Sequence, residues 1–316
     1  MPIADGVFLL AFSILPSLLR LYWVLCTMAA VLALLPLPGL AGFRAAVILS
    51  ACRGKLVDMK PHKAFGPLSD WTVPQKWFSH FYALGSVWSV PVIWAVMQQL
   101  WTGTSQAAWE AQVSLLALCL LEVHLVRRYL ETVLIMQYPP NARMHGIAYL
   151  YGISYYLVVP ATIVPPSLLQ RLADGGLESL LGRGAMMGAL PSALKATLAR
   201  LSALQWLGVL AFVAGNLLQL HSHRLLATLS RGTQSGAYRI PRGGLFELVS
   251  CPHYLAEIVI YAGLGLLIGA QRPLAWLILA WVAANLVLAA GMTQAWYRRR
   301  FPSYPSKRKA LFPWLY

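Results

Sequence analysis

Residues 238–257 read YRIPRGGLFELVSCPHYLAE. This stretch gathers Arg239, Arg242, Gly243, Gly244, Glu247, Cys251, His253, Tyr254 and Glu257, and long apolar runs flank it on both sides. A polar segment punctuated by Gly and Pro directly before an apolar run reads as a membrane-surface loop that turns back into the bilayer. Two readings compete for it. It is an ordinary basic connector, or it builds a site for an anionic cofactor at the mouth of a membrane cavity.

The flanking runs set the fold class. The 316 residues are 59% hydrophobic and only 11% charged, with a mean hydropathy of +0.62. Soluble domains carry about 25% charged residues. Apolar runs near 20 residues recur along the chain, the length that crosses a bilayer as a helix. The expectation is an all-α polytopic membrane protein, a seven-transmembrane-helix bundle. Its spans are expected at 6–37, 77–101, 109–136, 146–169, 201–229, 248–270 and 273–297, with a basic tail at 298–316. No polar stretch is long enough to fold alone, so 1–316 reads as a single membrane domain. Arg20 interrupts the first run, so the span is the whole run or only its second half, with Arg20 at the outer edge. Residues 38–75 read as a long basic loop. The Gly-rich run 170–199 reads as a flexible loop with an amphipathic piece at the surface.

The net charge of +15 would suggest nucleic acid in a soluble protein. Here the positive-inside bias accounts for most of it, so no nucleic-acid partner is expected. The loops after spans one, three and five, together with the tail, hold most of the Lys and Arg. The tail and residues 238–257 are therefore expected on the cytosolic side. Cys26, Cys52, Cys119 and Cys251 have no metal-like spacing, and no metal site is expected. The N-terminus has no basic region before its long apolar run and reads as a retained first span, not a cleaved signal.

Ionisable groups inside spans are costly and mark sites. His124, Arg128 and Glu131 fall on one helix face, and Arg127 and Glu131 form an i, i+4 pair. The competing reading ends this span early and lets Arg127 and Arg128 snorkel. In the fifth span Asn216, Gln219 and His223 share a face, where inter-helix hydrogen bonding is the plainer explanation. His221 and His223, two apart, point to different faces, which argues against metal. His80 is a candidate proton donor and Tyr82 a candidate carbonyl polariser, against a reading of both as interface residues. The turn at Ile240–Gly244 can expose backbone N–H groups to an anion, with Arg239 and Arg242 adding charge. Glu257, one turn into the next span, can accept from an amide or a ribose hydroxyl. There is no Rossmann or P-loop signature, so any nucleotide is held by helices.

Three segments carry a family likeness: VPQKWFSHFY (73–82), YRIPRGGLFELVSCPHYLAE (238–257) and WYRRRFPSYPSKRKALFPWLY (296–316). They resemble the steroid 5α-reductase family, and the first selects its type 3 branch. The resemblance implies seven helices and NADPH in a cytosol-facing cavity. It also implies hydride transfer to the β-carbon of an α,β-unsaturated carbonyl. For the type 3 branch it implies a long polyprenoid partner, reduced at its α-isoprene unit towards dolichol for N-glycosylation in the endoplasmic reticulum membrane. Hydride addition needs a conjugated carbonyl, which favours polyprenal over polyprenol. By position, the cofactor contacts fall on Arg128, Gln219, His223, Tyr238, Arg239, His253, Glu257 and Tyr297, to which the residue reading adds Arg242.

The catalytic half departs from the steroid enzymes. Their Gln-Glu pair is replaced by His80-Phe81, and their third-span Tyr by Leu125. Their Arg and His of the seventh span correspond to Ala289 and Thr293, and the type 3 branch's nearby His to Gln294. Gln219 and His253 stand where steroid-reducing relatives have Asn, and His223 where they have Asp. His80, Tyr82 and His124 remain as catalytic candidates. Trp77, Phe78 and Phe81 are expected to line a lateral exit for the isoprenoid. A monomer is expected. Steroid enone reduction stays open as an alternative activity, as do an isoprenylcysteine-methyltransferase-like enzyme and a transporter or lipid-binding protein.

Overall fold

The computed structural model describes residues 2–54, 56, 70–100, 105–139, 141–176, 190–231 and 238–316. Ten α-helices dominate these residues: α1 (Pro2–Leu34), α2 (Ala41–Ala51), α3 (Phe78–Gln99), α4 (Ser105–Leu130), α5 (Gly146–Ile163), α6 (Pro166–Gly175), α7 (Leu190–Arg200), α8 (Ala203–Arg231), α9 (Pro252–Ile268) and α10 (Pro273–Arg300). Six of them, α1, α3, α4, α5, α8 and α10, are long and apolar enough to cross a membrane. The chain is thus an all-α, multi-pass membrane protein. The remaining expected span, the sixth at 248–270, is α9. It is apolar but only 17 residues long, about 25 Å at 1.5 Å per residue against a hydrocarbon core of about 30 Å.

Several expected boundaries shift, each for a local reason. The first helix does not begin at Arg20. It runs unbroken for 33 residues with Arg20 on its exposed face. The fourth span stops at Ile163 instead of 169, because Pro165 and Pro166 follow. A residue before Pro is pushed out of the helical region, while Pro at N1 starts a new helix well. That new helix, α6, buries Leu168, Leu169 and Leu172 on one face. The segment read as a loop at 170–199 is therefore helical at both ends, and 177–189 lie outside the described residues. The sixth helix starts at Pro252, not 248, again with Pro at its first turn. The basic loop 38–75 contains α2 and a strand β1 (Thr72–Pro74), and 57–69 lie outside the described residues. β1 pairs antiparallel with β2 (Arg143–His145), Val73 opposite Met144. This short ribbon joins the start of α3 to the start of α5.

Two packing features position the site. The first is the contact of α8 with α9. A Cβ on Gly208 would come within 2.7 Å of the Gly263 carbonyl oxygen, and one on Gly215 within 2.9 Å of the Ala256 carbonyl oxygen. Only small residues let two backbones approach this closely, as in other membrane helix pairs. The approach sets Gln219 of α8 against Glu257 of α9. The second is the C-terminal tail, which is not a loose surface segment. Lys309 donates its backbone N–H to the Leu248 carbonyl at 2.9 Å, and Ser250 and Cys251 donate to the carbonyls of Lys309 and Ala310. Arg308 is buried, with Nη1 donating to the Pro241 carbonyl at 3.0 Å. The tail thereby holds the 238–251 segment against the end of α10.

Candidate active site

One cavity of about 630 Å³ opens among these helices, within the usual range of about 300–1,000 Å³ for ligand pockets. Its walls come from α3, α4, α5, α8, α9, α10 and the segments around Arg53, Tyr138 and Tyr238.

One wall is ionic. Glu131 is buried and accepts from Arg127, from Arg128 Nη1 at 2.5 Å and from His223 Nδ1 at 2.7 Å. Arg127 also donates to Gln219 Oε1 at 2.5 Å and to Asn216 Oδ1 at 3.0 Å. Gln219 in turn donates through Nε2 to Glu257. The two guanidiniums and two carboxylates balance to zero formal charge. That balance is what lets four ionised groups persist inside a membrane bundle, since an unpaired buried charge is costly. Arg127 and Arg128 do not snorkel: their side chains are 18% and 12% exposed. The α4 backbone changes pitch here, with Glu131–Ile135 forming a π-helical turn. Such turns recur at functional sites.

The opposite wall is aromatic: Phe78, Phe81, Tyr151, Tyr155, Tyr156 and Trp281 line it, with Gly152 leaving room for the Phe81 ring. A Cβ at Gly152 would meet that ring at 2.6 Å. Tyr82 joins the two walls. Arg128 Nη2 donates to its hydroxyl at 2.7 Å, and the guanidinium carbon lies 4.8 Å from its ring centroid.

Nine expected site residues line the cavity: Tyr82, Arg128, Gln219, His223, Tyr238, Arg239, His253, Glu257 and Tyr297. Three do not. His80 is exposed and bonded through Nδ1 to the Tyr149 hydroxyl at 3.0 Å, against Trp77. It lies on a helix face turned from the cavity, so the structure does not place it as a proton donor there. His124 is fully buried behind Glu257. Its Nδ1 donates to Asn216 Oδ1 at 2.9 Å and its Nε2 lies 3.8 Å from the Glu257 carboxylate. Arg242 faces solvent and pairs with Glu247 Oε2 at 3.1 Å. The same Glu247 accepts the Gly243 backbone N–H at 2.7 Å. The turn thus closes on its own carboxylate instead of presenting that N–H to an anion. The Gly243 N–H chiefly, with Arg242 and Arg308, holds the Glu247 pKa below its ordinary value.

Of the expected exit residues, Phe78 and Phe81 line the cavity and Trp77 does not. His221 is exposed and His223 buried, as their two-residue spacing implies.

Sequence reading missed Arg53, Tyr138, Tyr151, Tyr155, Tyr156 and Tyr254. Arg53 lies between α2 and β1, and its Nη2 donates to the Tyr254 hydroxyl at 3.0 Å across 201 positions of sequence. The Tyr254 oxygen raises the pKa of the Arg53 guanidinium. Burial pushes the Tyr138 hydroxyl up to about 12, so it stays protonated at neutral pH.

The donor set fits a nicotinamide dinucleotide. Arg239 would offer positive charge to a phosphate, and Gln219 and Glu257 an amide and a carboxylate. Fold and cavity together define a helix-walled enzyme inside the membrane, with a charged wall facing an aromatic one.

Comparison with known proteins gives its family. Residues 193–316 match the model of the 3-oxo-5-alpha-steroid 4-dehydrogenase family. Over 311 residues the chain is 32% identical to polyprenal reductase 1 of Arabidopsis thaliana, covering 93% of this chain and 95% of that protein. It is 32% identical over 265 residues to the polyprenal reductase of Caenorhabditis elegans, covering 77% and 80%. To that of Homo sapiens it is 29% identical over 269 residues, covering 77% and 78%. The chain belongs to the steroid 5α-reductase family, and is an oxidoreductase that acts on a C=C bond.

Proposed function

We propose that this chain reduces the α-isoprene double bond of a polyprenal with NADPH, giving the saturated series from which dolichol is made. The observation that carries the reading is Tyr82. Its hydroxyl accepts from Arg128 within a cavity that has a charge-balanced polar wall and an aromatic wall. A phenol that accepts from a guanidinium keeps its own proton free to donate. Aimed at an aldehyde oxygen, that proton stabilises the negative charge that develops there as the double bond is reduced.

Gln219, Glu257, His253, His223, Arg128, Tyr238, Arg239 and Tyr297 would hold the dinucleotide, which supplies the hydride when bound. Glu257 receives the amide of Gln219 and is backed by His124, so its carboxylate is fixed before any ligand arrives. His124 is therefore a positioning residue. Phe78, Phe81 and the tyrosines of α5 cover the isoprene unit and exclude water from it. The isoprenoid tail leaves sideways past Phe78 into the bilayer and needs no enclosed pocket.

In this reading α9 is the remaining span, the whole chain works as one membrane unit and as a monomer, and it resides in the endoplasmic reticulum membrane. The tail and cavity mouth face the cytosol, where NADPH is available, and nucleic acid plays no part.

The test is NADPH oxidation by the purified protein with a polyprenal, beside the same assay with a polyprenol and with a steroid enone. Turnover confined to polyprenal supports the reading. Turnover with the steroid alone contradicts it.

A further inference from the structure

The cavity contains a second arginine–tyrosine pair that no predicted role uses. Arg53 donates to the Tyr254 hydroxyl at 3.0 Å and lies 5.6 Å from the ring centroid. Arg128 donates to the Tyr82 hydroxyl at 2.7 Å and lies 4.8 Å from that ring. All four residues line the same cavity.

Each phenol carries one proton and accepts from a guanidinium, which can only donate. Among the described residues neither hydroxyl has an acceptor for its own O–H. Both protons are therefore available to a molecule in the cavity. The two pairs differ in one respect. Arg128 is bound to Glu131 and sits in the balanced network. Arg53 has no carboxylate partner among the described residues; its guanidinium is engaged by the Tyr254 hydroxyl.

Reduction of a conjugated aldehyde makes two demands. The oxygen is hydrogen-bonded while the enolate exists, and a proton reaches the α-carbon afterwards. We propose that Tyr254 is the general acid that protonates the α-carbon, and that Arg53 is the positioning residue that fixes it and stabilises its anion. Tyr82 then serves the oxygen. After hydride has reached the β-carbon, the electron pair of the former C=C bond is held by the enolate. The O–H bond of Tyr254 breaks, a C–H bond forms at the α-carbon and the enolate returns to the aldehyde. The tyrosinate remains beside the Arg53 guanidinium and regains a proton from water. The positive charge of Arg53 has its use at that moment, when an anion forms next to it.

This assignment rests on the polyprenal reading, and its test needs no cofactor. The saturated aldehyde, dolichal, has an exchangeable α-hydrogen, and the same acid run backwards exchanges it. Full-length protein is incubated with dolichal in D₂O without dinucleotide, and deuterium at the α-carbon is read by mass spectrometry. Wild type is expected to exchange well above buffer, and Tyr254→Phe about 100-fold more slowly, the range of general acid–base catalysis. NADPH-induced thermal stabilisation of Tyr254→Phe is expected to match wild type, which shows that the variant is folded. Arg53→Met retains the phenol but loses the charge beside it, and its exchange rate should rise only at higher pH than in wild type. Wild-type exchange in Tyr254→Phe, or none in wild type, overturns the assignment. Wild type that fails to oxidise NADPH with polyprenal removes the underlying reading instead.

Discussion

The two walls of the cavity are built on opposite principles. The ionic wall, from α4, α8 and α9, is a closed set: Arg127, Arg128, Glu131 and Glu257 balance in charge, and Asn216, Gln219 and His223 take up the remaining donors and acceptors. The aromatic wall, from α3 and α5, is open. Its tyrosines bring ring faces and hydroxyls to the cavity with few internal bonds. A balanced network is rigid, and suits a cofactor of fixed shape. An aromatic surface tolerates a flexible apolar chain and directs a few protons at one point. The difference predicts that damage to the first wall costs stability and cofactor binding, while damage to the second costs turnover or substrate binding and spares the cofactor.

The largest effect is expected from Glu131→Gln. It leaves Arg127 and Arg128 with less negative charge than they need. Breaking a buried pair costs about 3–5 kcal/mol, so both the melting temperature and NADPH binding should fall. Wild-type melting and binding would show that the network is not the structural core of the site. Tyr82→Phe should instead lower kcat by about 10²–10³-fold, the size of a lost oxyanion donor, with melting and NADPH affinity unchanged. Loss of affinity without loss of kcat would move Tyr82 to the cofactor side. Gly152→Ala pushes a methyl into the Phe81 ring. It should raise the KM for polyprenal several-fold and leave NADPH affinity alone, and an unaltered KM would place the isoprene unit elsewhere. His80→Ala, outside the cavity, should retain at least a third of wild-type kcat, and a hundredfold loss would restore His80 as a donor.

The smallest effect concerns pH. The pKa of Glu247 lies below its ordinary value of 4.5 in the fold, so its contribution to stability is present above that value. The contribution is lost as pH falls through the lower folded value. Amide exchange at Gly243 should accelerate over that interval, and no change there would mean that the carboxylate does not hold the turn.

The ionic wall was legible in the sequence and the aromatic wall was not, for a physical reason. His124, Arg128 and Glu131 are spaced for one helix face, as are Asn216, Gln219 and His223, and charges inside a span must find partners. Two such faces predict each other, and the structure joins them through Glu131 and His223. Tyr155 and Tyr156 carry no such signal, because a tyrosine in a span is equally an interface or core residue. Arg53 lies in a segment whose sequence says only that it is basic. Its contact with Tyr254 depends on tertiary packing. Pro165-Pro166 end a helix before the apolar run does, and Arg20 lies within a helix, because neither boundary is marked by hydropathy alone. The π-helical turn after Leu130 has no sequence mark of its own.

In the proposed function, Gln219 and Glu257 hold NADPH in a site assembled before the lipid arrives. Thermal unfolding with and without saturating NADPH, in the wild type and in Glu257→Ala, tests it most directly. A ligand at 100 times its Kd stabilises by about 2.7 kcal/mol. The account predicts a clear upward shift in melting temperature for the wild type in the absence of polyprenal, largely lost in Glu257→Ala. No shift in the wild type, or the same shift in both proteins, would contradict it.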